Sequence, residues 1–216
     1  MITFQIAIDG PAGAGKSTIA QLIARELRIE YIDTGAMYRA ITLKLLRCSC
    51  DLNDIGSIKS IMEHTIIDFK ENNIFLDGEN VNESIRMPDV NKKVSQVASI
   101  PLVRKKLVAI QRGIAKSKSV IMDGRDIGTN VLKDAEFKFY LTASVEERAV
   151  RRWEEMDKKG LEVSLDKIKQ EINNRDTHDM QRKINPLKKA KDAIEVNSTG
   201  KSIEDVVKEI LSYIKI

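Results

Sequence analysis

The stretch that decides the fold lies near the start of the chain and reads Gly10-Pro11-Ala12-Gly13-Ala14-Gly15-Lys16-Ser17. It satisfies the pattern G-x-x-x-x-G-K-[ST] of a phosphate-binding loop. In such a loop the backbone N–H groups face a phosphate chain, the lysine reaches its terminal phosphates, and the serine hydroxyl can ligate Mg²⁺. We therefore predict that this loop and Thr18 bind a nucleoside triphosphate together with Mg²⁺. A glycine turn of no consequence is the poorer interpretation.

The flanking sequence supplies the context that this loop requires. The apolar run from Phe4 to Ile8 predicts a strand before it, and Ile19, Ile23 and Leu27 predict the apolar face of a helix after it. Further short apolar runs, each followed by a helix-compatible stretch, predict strands at residues 30–32, 120–122, 137–141 and 193–196. We predict an α/β fold: a P-loop doubly wound parallel sheet of about five strands, flanked by helices.

A different pattern separates two parts of this predicted sheet. Short extended pieces occur at residues 66–70, 74–76 and 79–82, and a helical pattern follows at 89–116. Asp77-Gly78 is a strong hairpin-turn signal, and Asn72-Asn73 is a weaker one. We predict a small antiparallel sheet that is inserted into the parallel core.

Composition excludes several classes of protein. With 216 residues, 42% hydrophobic and 31% charged, the chain is expected to form one globular domain and not a disordered tail. A net charge of +4 is too small for a nucleic-acid coat or a polybasic membrane binder. Cys48 and Cys50 are separated by a single residue, so we expect them to be reduced structural thiols. No apolar stretch approaches membrane-spanning length, so we expect a cytoplasmic protein without a membrane partner. The low net charge predicts no nucleic-acid partner. We expect a monomer, because no long apolar stripe is left without a place in the core.

A candidate metal ligand follows the strand predicted at 120–122. Asp123 ends that run, where phosphate-loop proteins place an aspartate near the metal, often through a water. The alternative is an aspartate that simply favours a turn. We predict Ser17 and Asp123 as the Mg²⁺ residues.

Charged residues accumulate beyond the same strand and on a later helix. Arg125 and Asp126 follow the strand directly, where open α/β sheets bind ligands, although a surface salt-bridge turn would look the same. The helical stripe that starts with Ile168 and Ile172 turns ionic at Arg175, Asp179 and Arg182. Solvent exposure of the helix end would explain this change, but an end that stays buried would require an anionic or polar ligand.

A third segment, residues 33–39, predicts another strand-to-helix turn that directs Tyr38 and Arg39 toward the same edge of the sheet. Guanidinium groups grip phosphate oxygens bidentately, so arginines from these segments predict a site for a dianion. His178 is expected to face solvent, and Asn185-Pro186 to break the helix.

Arg148, Arg151 and Arg152 form a further basic stretch on a predicted helix. The sequence allows two interpretations of this stretch: a solvated helix face, or a lid that closes over the triphosphate. Trp153 is expected to be a packing residue.

Taken together, the motifs resemble the bacterial cytidylate kinase family. The resemblance runs from the first strand to the last helix and rests on the loop at 10–17, residues 33–39, Ser95-Gln96-Val97-Ala98 with Pro101, Val103-Arg104, residues 123–129, Arg175-Asp176, Asp179, Arg182 and Pro186-Leu187. It implies ATP-dependent phosphorylation of CMP and dCMP to CDP and dCDP. It also implies one kinase domain at 1–216, with a core at about 1–50 and 101–216, a monophosphate-binding insert at about 51–100 and a helical lid at about 148–185.

The resemblance also implies roles for individual residues. Ser95, Arg104 and Asp126 would read the cytosine edge, and Arg39, Arg125 and Arg182 would surround the acceptor phosphate. Thr34, Tyr38, Arg175 and Asp179 would contact the rest of CMP, while Arg151 and Arg152 would contact ATP. Lys16, Arg125 and Arg182 would be the catalytic residues.

Two alternatives remain at the level of sequence. Another phosphate-loop kinase acting on a hydroxyl acceptor would benefit from a carboxylate base, for which Asp33 or Asp126 could serve. A nucleotide switch or ATPase would act on a macromolecule, but the chain has no guanine-reading Asn-Lys-x-Asp and no strongly basic stripe.

Overall fold

The computed structural model describes residues 3–70, 73–158, 160 and 162–215. The chain divides into two compact units, Met1–Tyr31 with Lys118–Ile216 and Ile32–Ser117. The division into core, insert and lid stays a prediction.

The helices and strands follow one another in the order expected for an α/β chain with an antiparallel insertion. They are β1 (Gln5–Asp9), α1 (Lys16–Leu27), β2 (Glu30–Asp33), α2 (Thr34–Arg47), α3 (Ile55–Glu63), β3 (Ile67–Lys70), β4 (Asn73–Leu76), β5 (Glu79–Asn80), α4 (Pro88–Ser99), α5 (Pro101–Ala115), β6 (Val120–Gly124), β7 (Phe137–Thr142), α6 (Val145–Asp157), α7 (Leu165–Gln181), β8 (Ile194–Asn197) and α8 (Ile203–Tyr213).

The larger sheet has five strands in the order β2-β6-β1-β7-β8. Strand β1 pairs in parallel with β6 and β7, and β7 pairs in parallel with β8. The predicted doubly wound parallel sheet is therefore confirmed, with strand ends within a few residues of the predicted ones. Ile6, Ala7 and Ile8 are fully buried, as expected for a strand covered on both faces.

The main core of the first unit lies between this sheet and helices α1 and α8. Ile19 and Ile23 of α1 pack with Ile6, Ile121 and Phe139 of the sheet, and with Val206 and Ile210 of α8. The apolar stripe predicted for α1 is confirmed. This packing fixes the helix that starts at Lys16 against the strand that ends at Asp9.

Helices α6 and α7 share a smaller apolar cluster in the same unit. Ala149 packs against Ile168 and Ile172, which confirms the apolar start of the predicted stripe. Trp153 lies outside this cluster and is 41% exposed, so its prediction as a packing residue was wrong. Ser144 accepts a hydrogen bond from the Glu147 N–H and so caps α6.

Helix α7 ends at Gln181, earlier than the break expected at Asn185-Pro186. The following segment turns back on the helix: the Leu187 N–H donates to the carbonyl of Asp179, and an Arg182 nitrogen donates to the carbonyl of Asn185. Arg182 therefore lies just beyond the helix, but it is buried, as is Asp179. His178 is exposed as predicted.

The second unit contains the predicted antiparallel sheet, in the order β3-β4-β5. Asp77 and Gly78 both have positive φ and connect β4 to β5, which confirms the predicted hairpin turn. Asn72 of the other predicted turn lies outside the described residues. The single helical pattern expected at 89–116 is two helices, because Ile100 is extended and Pro101 starts a new helix. Within the described ranges, no helix is long and apolar enough to cross a membrane.

Gly10 offers a direct test of how β1 meets the phosphate loop. Its φ is +150°, and a Cβ at this position would lie 2.0 Å from the backbone oxygen of Leu141. We expect Gly10→Ala to lower the free energy of unfolding by about 3 kcal/mol or more, because a backbone atom cannot move away as a side chain does. Urea unfolding measures this change.

The control is Gly113→Ala in α5, where the added Cβ would lie more than 4 Å from any described atom outside the adjoining backbone of its own helix. Alanine has the higher helix propensity, so this variant should be about 0.5–1 kcal/mol more stable than the wild type. Equal stabilities for the two variants would show that the loop does not require glycine at position 10.

Candidate active site

The loop at 10–17 has the backbone geometry of an anion-binding turn. Gly13 and Gly15 have φ of +75° and +86°, and α1 starts at Lys16 directly after Gly15. The Lys16 Nζ donates to the carbonyl of Pro11 at 2.7 Å, so the ammonium group lies over the loop. Burial lowers the pKa of Lys16, and the positive charge of Arg125 lowers it further. Additional negative charge at the loop would favour the charged amine.

Ser17 and Asp123, the predicted metal residues, lie together. The Ser17 hydroxyl donates to Asp123 Oδ2 at 2.9 Å, and the Tyr31 hydroxyl donates to Asp123 Oδ1 at 2.8 Å. Hydroxyl and carboxylate oxygens suit Mg²⁺, which usually keeps several waters and substrate phosphates as its other ligands. Among the residues described, no group of three His, Cys, Asp or Glu is assembled for a metal. Tyr31 was missed, because an aromatic residue in a short strand reads as core.

The acceptor residues predicted in the first unit form two charged pairs. Arg125 Nε donates to Asp179 Oδ2 at 2.8 Å, and an Arg182 nitrogen lies 3.9 Å from Asp126 Oδ1. The Asn130 amide donates to the other oxygen of Asp126 at 3.0 Å. The end of β6 and the end of α7 thus lie together, and the buried ionic end of the stripe is not simply solvated.

These buried charges support one another. Burial alone would raise the pKa of Asp179, but the charges of Arg125, Arg175 and Arg182 hold it below its ordinary value. Burial works against the charge of Arg125 as well, but Asp179, with Asp176 and Asp123, outweighs it, so the pKa of Arg125 is raised. Asp179 and Arg125 therefore both stay ionised at neutral pH. Together with Arg175 and Arg182 they contribute an excess of guanidinium groups suited to an anion.

The predicted residues of the second unit also make specific contacts. The Arg104 guanidinium lies over the Tyr38 ring, 5.5 Å from its centroid, and donates to the carbonyl of Ala98 at 3.1 Å. Arg39 pairs with Asp33 at 3.1 Å, and Asp33 also caps α2 by accepting the Ala36 N–H. Asp33 is therefore occupied as a structural carboxylate, which argues against its role as a base.

Two further predicted residues lie in the same unit. Thr34 is buried at the start of α2, and Ser95 is half-buried on α4. Both remain candidates for contact with the acceptor.

The basic stretch on α6 divides into different environments. Arg148 is 5% exposed and donates to the carbonyls of Ala143 and Ala12, so its interpretation as part of a solvated face was wrong. Arg151 is half-buried and donates to the hydroxyl and the carbonyl of Ser198. Its Nη1 would lie 3.8 Å from a Cβ on Gly15, which places it beside the phosphate loop. Arg152 is half-buried.

Asp9 was missed, although it is central to the site. It is 3% exposed at the end of β1, and its two carboxylate oxygens accept the N–H groups of Ile127 and Gly128 at 2.7 and 2.8 Å. It therefore holds the turn that carries Asp126. A Cβ on Gly128 would lie 3.4 Å from Asp9 Oδ2. Burial raises the pKa of Asp9 to about 7, against the opposing effect of these two hydrogen bonds.

Comparison with known proteins gives a consistent result over the whole chain. The sequence model of the cytidylate kinase family matches residues 6–216. The cytidylate kinase of Alkaliphilus oremlandii (strain OhILAs) is 55% identical over 211 residues, which cover 98% of this chain and 97% of that protein. The cytidylate kinase of Clostridioides difficile (strain 630) is 51% identical over 211 residues, which cover 98% of both chains.

One solved structure shows the same fold at low identity. An uncharacterized protein from Eubacterium ventriosum ATCC 27560 has a TM-score of 0.55 and 15% identity, covering 99% of this chain and 98% of that one. This likeness concerns the fold alone.

The buried Asp9 predicts a specific pH dependence of stability. Its pKa is about 7 in the folded protein against an ordinary value of 3.8, so the unfolded chain loses this proton first as the pH rises. This group's contribution is fully present below about pH 4 and is lost as the pH rises through about 7, by up to about 4 kcal/mol. We expect Asp9→Asn to lose less unfolding free energy than the wild type between these pH values.

Urea unfolding of both proteins across this pH range tests the expectation. Asp134→Asn, at an exposed carboxylate, is the control and should follow the wild type. If Asp9→Asn loses as much stability as the wild type over that interval, then Asp9 does not hold its proton in the folded state.

Proposed function

Because the chain belongs to the cytidylate kinase family, we propose that it transfers the γ-phosphoryl group of ATP to CMP or dCMP, giving ADP and CDP or dCDP. The observation that carries this proposal is the presence, in one compact unit, of a phosphate loop with Lys16 and of two charged pairs, Arg125 with Asp179 and Arg182 with Asp126. The phosphate loop with Lys16 suits the donor ATP, and the two charged pairs suit an anionic acceptor.

The donor is assigned to the loop and to residues beside it. The N–H groups of the loop other than that of Ala12, together with the start of α1, face the triphosphate, and Lys16 reaches its terminal phosphates. Arg151 supports this assignment because its guanidinium lies next to Gly15. Arg152, one residue further along α6, is assigned to ATP as well.

Ser17 and Asp123 are the residues that would hold Mg²⁺, Asp123 directly or through a water. When bound, the ion neutralises charge on the phosphates of ATP. The hydrogen bond between the two side chains supports this assignment because it brings two hard oxygen donors together.

The transfer itself needs no general base. An oxygen of the CMP phosphate forms the new bond to the γ-phosphorus, the bond from that phosphorus to the bridging oxygen breaks, and ADP leaves. Arg125 and Arg182 neutralise the charge that spreads over the transferred group, together with Lys16. Arg39 is assigned to the acceptor phosphate, where its fork geometry suits two oxygens.

The base and sugar of the acceptor are assigned to the remaining residues. Asp126 and Arg104 have the polarity to read the amino group and the acceptors of cytosine, with Ser95 beside Arg104 in this role. Asn130 supports the role of Asp126 by fixing one of its oxygens. Thr34, Tyr38, Arg175 and Asp179 are assigned to the sugar and phosphate.

The alternatives lose their support at this point. A hydroxyl-directed kinase would need a free carboxylate base, whereas Asp33 is engaged by Arg39 and the start of α2. Asp126, the other carboxylate considered for that role, is engaged by Asn130 and Arg182. A switch or ATPase that acts on a macromolecule has no support from full-length relatives named cytidylate kinase. A monomeric state and a cytoplasmic location stay predictions.

Lys16→Ala tests the role of the phosphate loop. We expect kcat to fall by roughly 10²–10³-fold, because a positioned cation that stabilises the transferred phosphoryl group is lost. Thermal unfolding should show an intact fold. Lys208→Ala, at an exposed position on α8, is the control and should retain wild-type kcat. Comparable kcat in wild type and Lys16→Ala would remove the loop from the mechanism.

Acceptor choice tests the proposed function as a whole. We expect CMP and dCMP to be good acceptors, UMP poor, and AMP and GMP nearly inert, because a buried carboxylate facing a uracil carbonyl is left unpaired. Measuring ADP release with each nucleoside monophosphate gives the kcat/KM values. Equal use of CMP and UMP would contradict the assignment of Asp126 and Arg104 to the base.

The same assay on Asp126→Ala examines the residue directly. We expect kcat/KM for CMP to fall by about 10- to 100-fold and that for UMP to change less, so that the two values converge. Asp126→Asn retains the shape and one acceptor oxygen and should fall between Asp126→Ala and the wild type. An unchanged ratio of CMP to UMP use in both variants would assign base recognition elsewhere.

A further inference from the structure

Both backbone polar groups of Ala12, inside the phosphate loop, bind side chains that are distant in sequence. Its N–H donates to Asp176 Oδ1 at 3.0 Å, and its carbonyl accepts from Arg148 Nη1 at 2.9 Å. The loop is thus held from outside by α6 and α7, and not only by its own glycines.

Arg148 and Asp176 are also bonded to each other. Arg148 Nη1 lies 2.5 Å from Asp176 Oδ2, and both residues are nearly buried, at 5% and 6% exposed. Arg148 Nε donates to the carbonyl of Ala143, which directly follows β7. The three groups form a closed set of contacts, which we call the Ala12 clamp: Ala12, Arg148 and Asp176.

The fit around the clamp is close. A Cβ on Gly13 would lie 3.3 Å from the Cβ and from the carbonyl oxygen of Arg148, so α6 passes directly over the loop. A buried ion pair adds little net stability once desolvation is counted. What the clamp supplies is a fixed geometry, because rotation of either side chain would leave a buried charge and a backbone group of Ala12 without a partner.

Asp176 lies on the same helix as residues of the proposed acceptor site, so the clamp links the donor loop to that site. Asp176 lies on α7 next to Arg175 and less than one turn before Asp179, which pairs with Arg125. The helix that contributes to the proposed acceptor site is therefore the helix that holds the donor loop. A shift of about 1 Å between donor and acceptor can cost about 10²-fold in rate.

We infer that Asp176 and Arg148 are positioning residues, which fix the phosphate loop through Ala12 and set the donor phosphates relative to the acceptor residues of α7. This inference rests on the proposed function for its catalytic part. Neither residue is required to touch a substrate, since both act through the backbone of Ala12.

The test compares Asp176→Asn and Arg148→Lys with the wild type, as full-length proteins at temperatures well below thermal unfolding. Each substitution retains a polar group and breaks the closed set of contacts. We expect kcat to fall by about 10- to 100-fold and the dissociation constant of ADP to rise by about 3- to 10-fold. The double variant should be no worse than the poorer single variant, because the two residues act as one unit.

A second readout separates positioning from a loss of folded protein. The ratio of ADP formed to CDP formed is one when every phosphoryl group reaches CMP. We expect this ratio to rise in both single variants, because a misaligned donor transfers to water as well. If the substitutions only destabilise the fold, both products fall together and the ratio stays at one, which would overturn the inference.

The matched control is Glu171→Gln, an exposed carboxylate on the same helix, which should keep wild-type values in every assay. If Asp176→Asn does not fold, Arg148→Lys carries the same test. If both single variants match the wild type in kcat, ADP affinity and product ratio, the clamp has no positioning role.

Failure of the proposed function gives a different result. A wild-type protein that does not phosphorylate CMP contradicts that function. The ADP affinities do not depend on the acceptor, and weaker, non-additive binding in the variants would still support the clamp. If both variants bind ADP with wild-type affinity, the inference that the Ala12 clamp positions the loop is overturned as well.

Discussion

The organisation of the first unit depends on the pairing of buried charges where its parallel strands end. Strands β1 and β6 lie side by side and end at Asp9 and Gly124, which brings Asp9, Asp123 and the Arg125-Asp126 turn to one edge of the sheet. Charges in such a place must find partners, because an unpaired buried charge costs several kcal/mol. The hydrogen bonds that Asp123 accepts from Ser17 and Tyr31 meet this requirement. Asp9 accepts the N–H groups of Ile127 and Gly128, and burial also raises its pKa to about 7, which favours the neutral carboxyl.

The same requirement links the loop to distant helices. Arg148 of α6 and Asp176 of α7 hold Ala12 by hydrogen bonds, and Asp179 of α7 forms an ion pair with Arg125. Polar contacts therefore fix both helices to the loop and the strand ends, in addition to their small apolar cluster. An apolar contact tolerates sliding, whereas a buried ion pair with a defined hydrogen-bond geometry does not. The arrangement suits a kinase, which has to hold two polyanions in line.

Asp9 differs from the other carboxylates of the site. Two backbone N–H groups favour its charged form, but burial outweighs them, so its pKa is raised to about 7. Asp179, with arginines around it, shows the opposite shift. The two carboxylates therefore have different roles because their surroundings differ. Asp9 holds the turn before Gly128 by accepting backbone hydrogen bonds, and Asp179 balances the charge of Arg125.

The sequence by itself determined the phosphate loop, the order of strands and helices, the turn at Asp77-Gly78 and the family, because these depend on local spacing and on motifs within single segments. It could not identify Asp176 and Arg148 as partners of Ala12, since helical periodicity indicates which face a residue is on but not which backbone atoms it meets. The sequence pattern likewise indicated only that Asp9 ends a strand, because it does not show which backbone N–H groups the carboxylate accepts. Only the tertiary structure decided these contacts, because residues more than a hundred positions apart must be brought within hydrogen-bond distance before burial and charge select their partners.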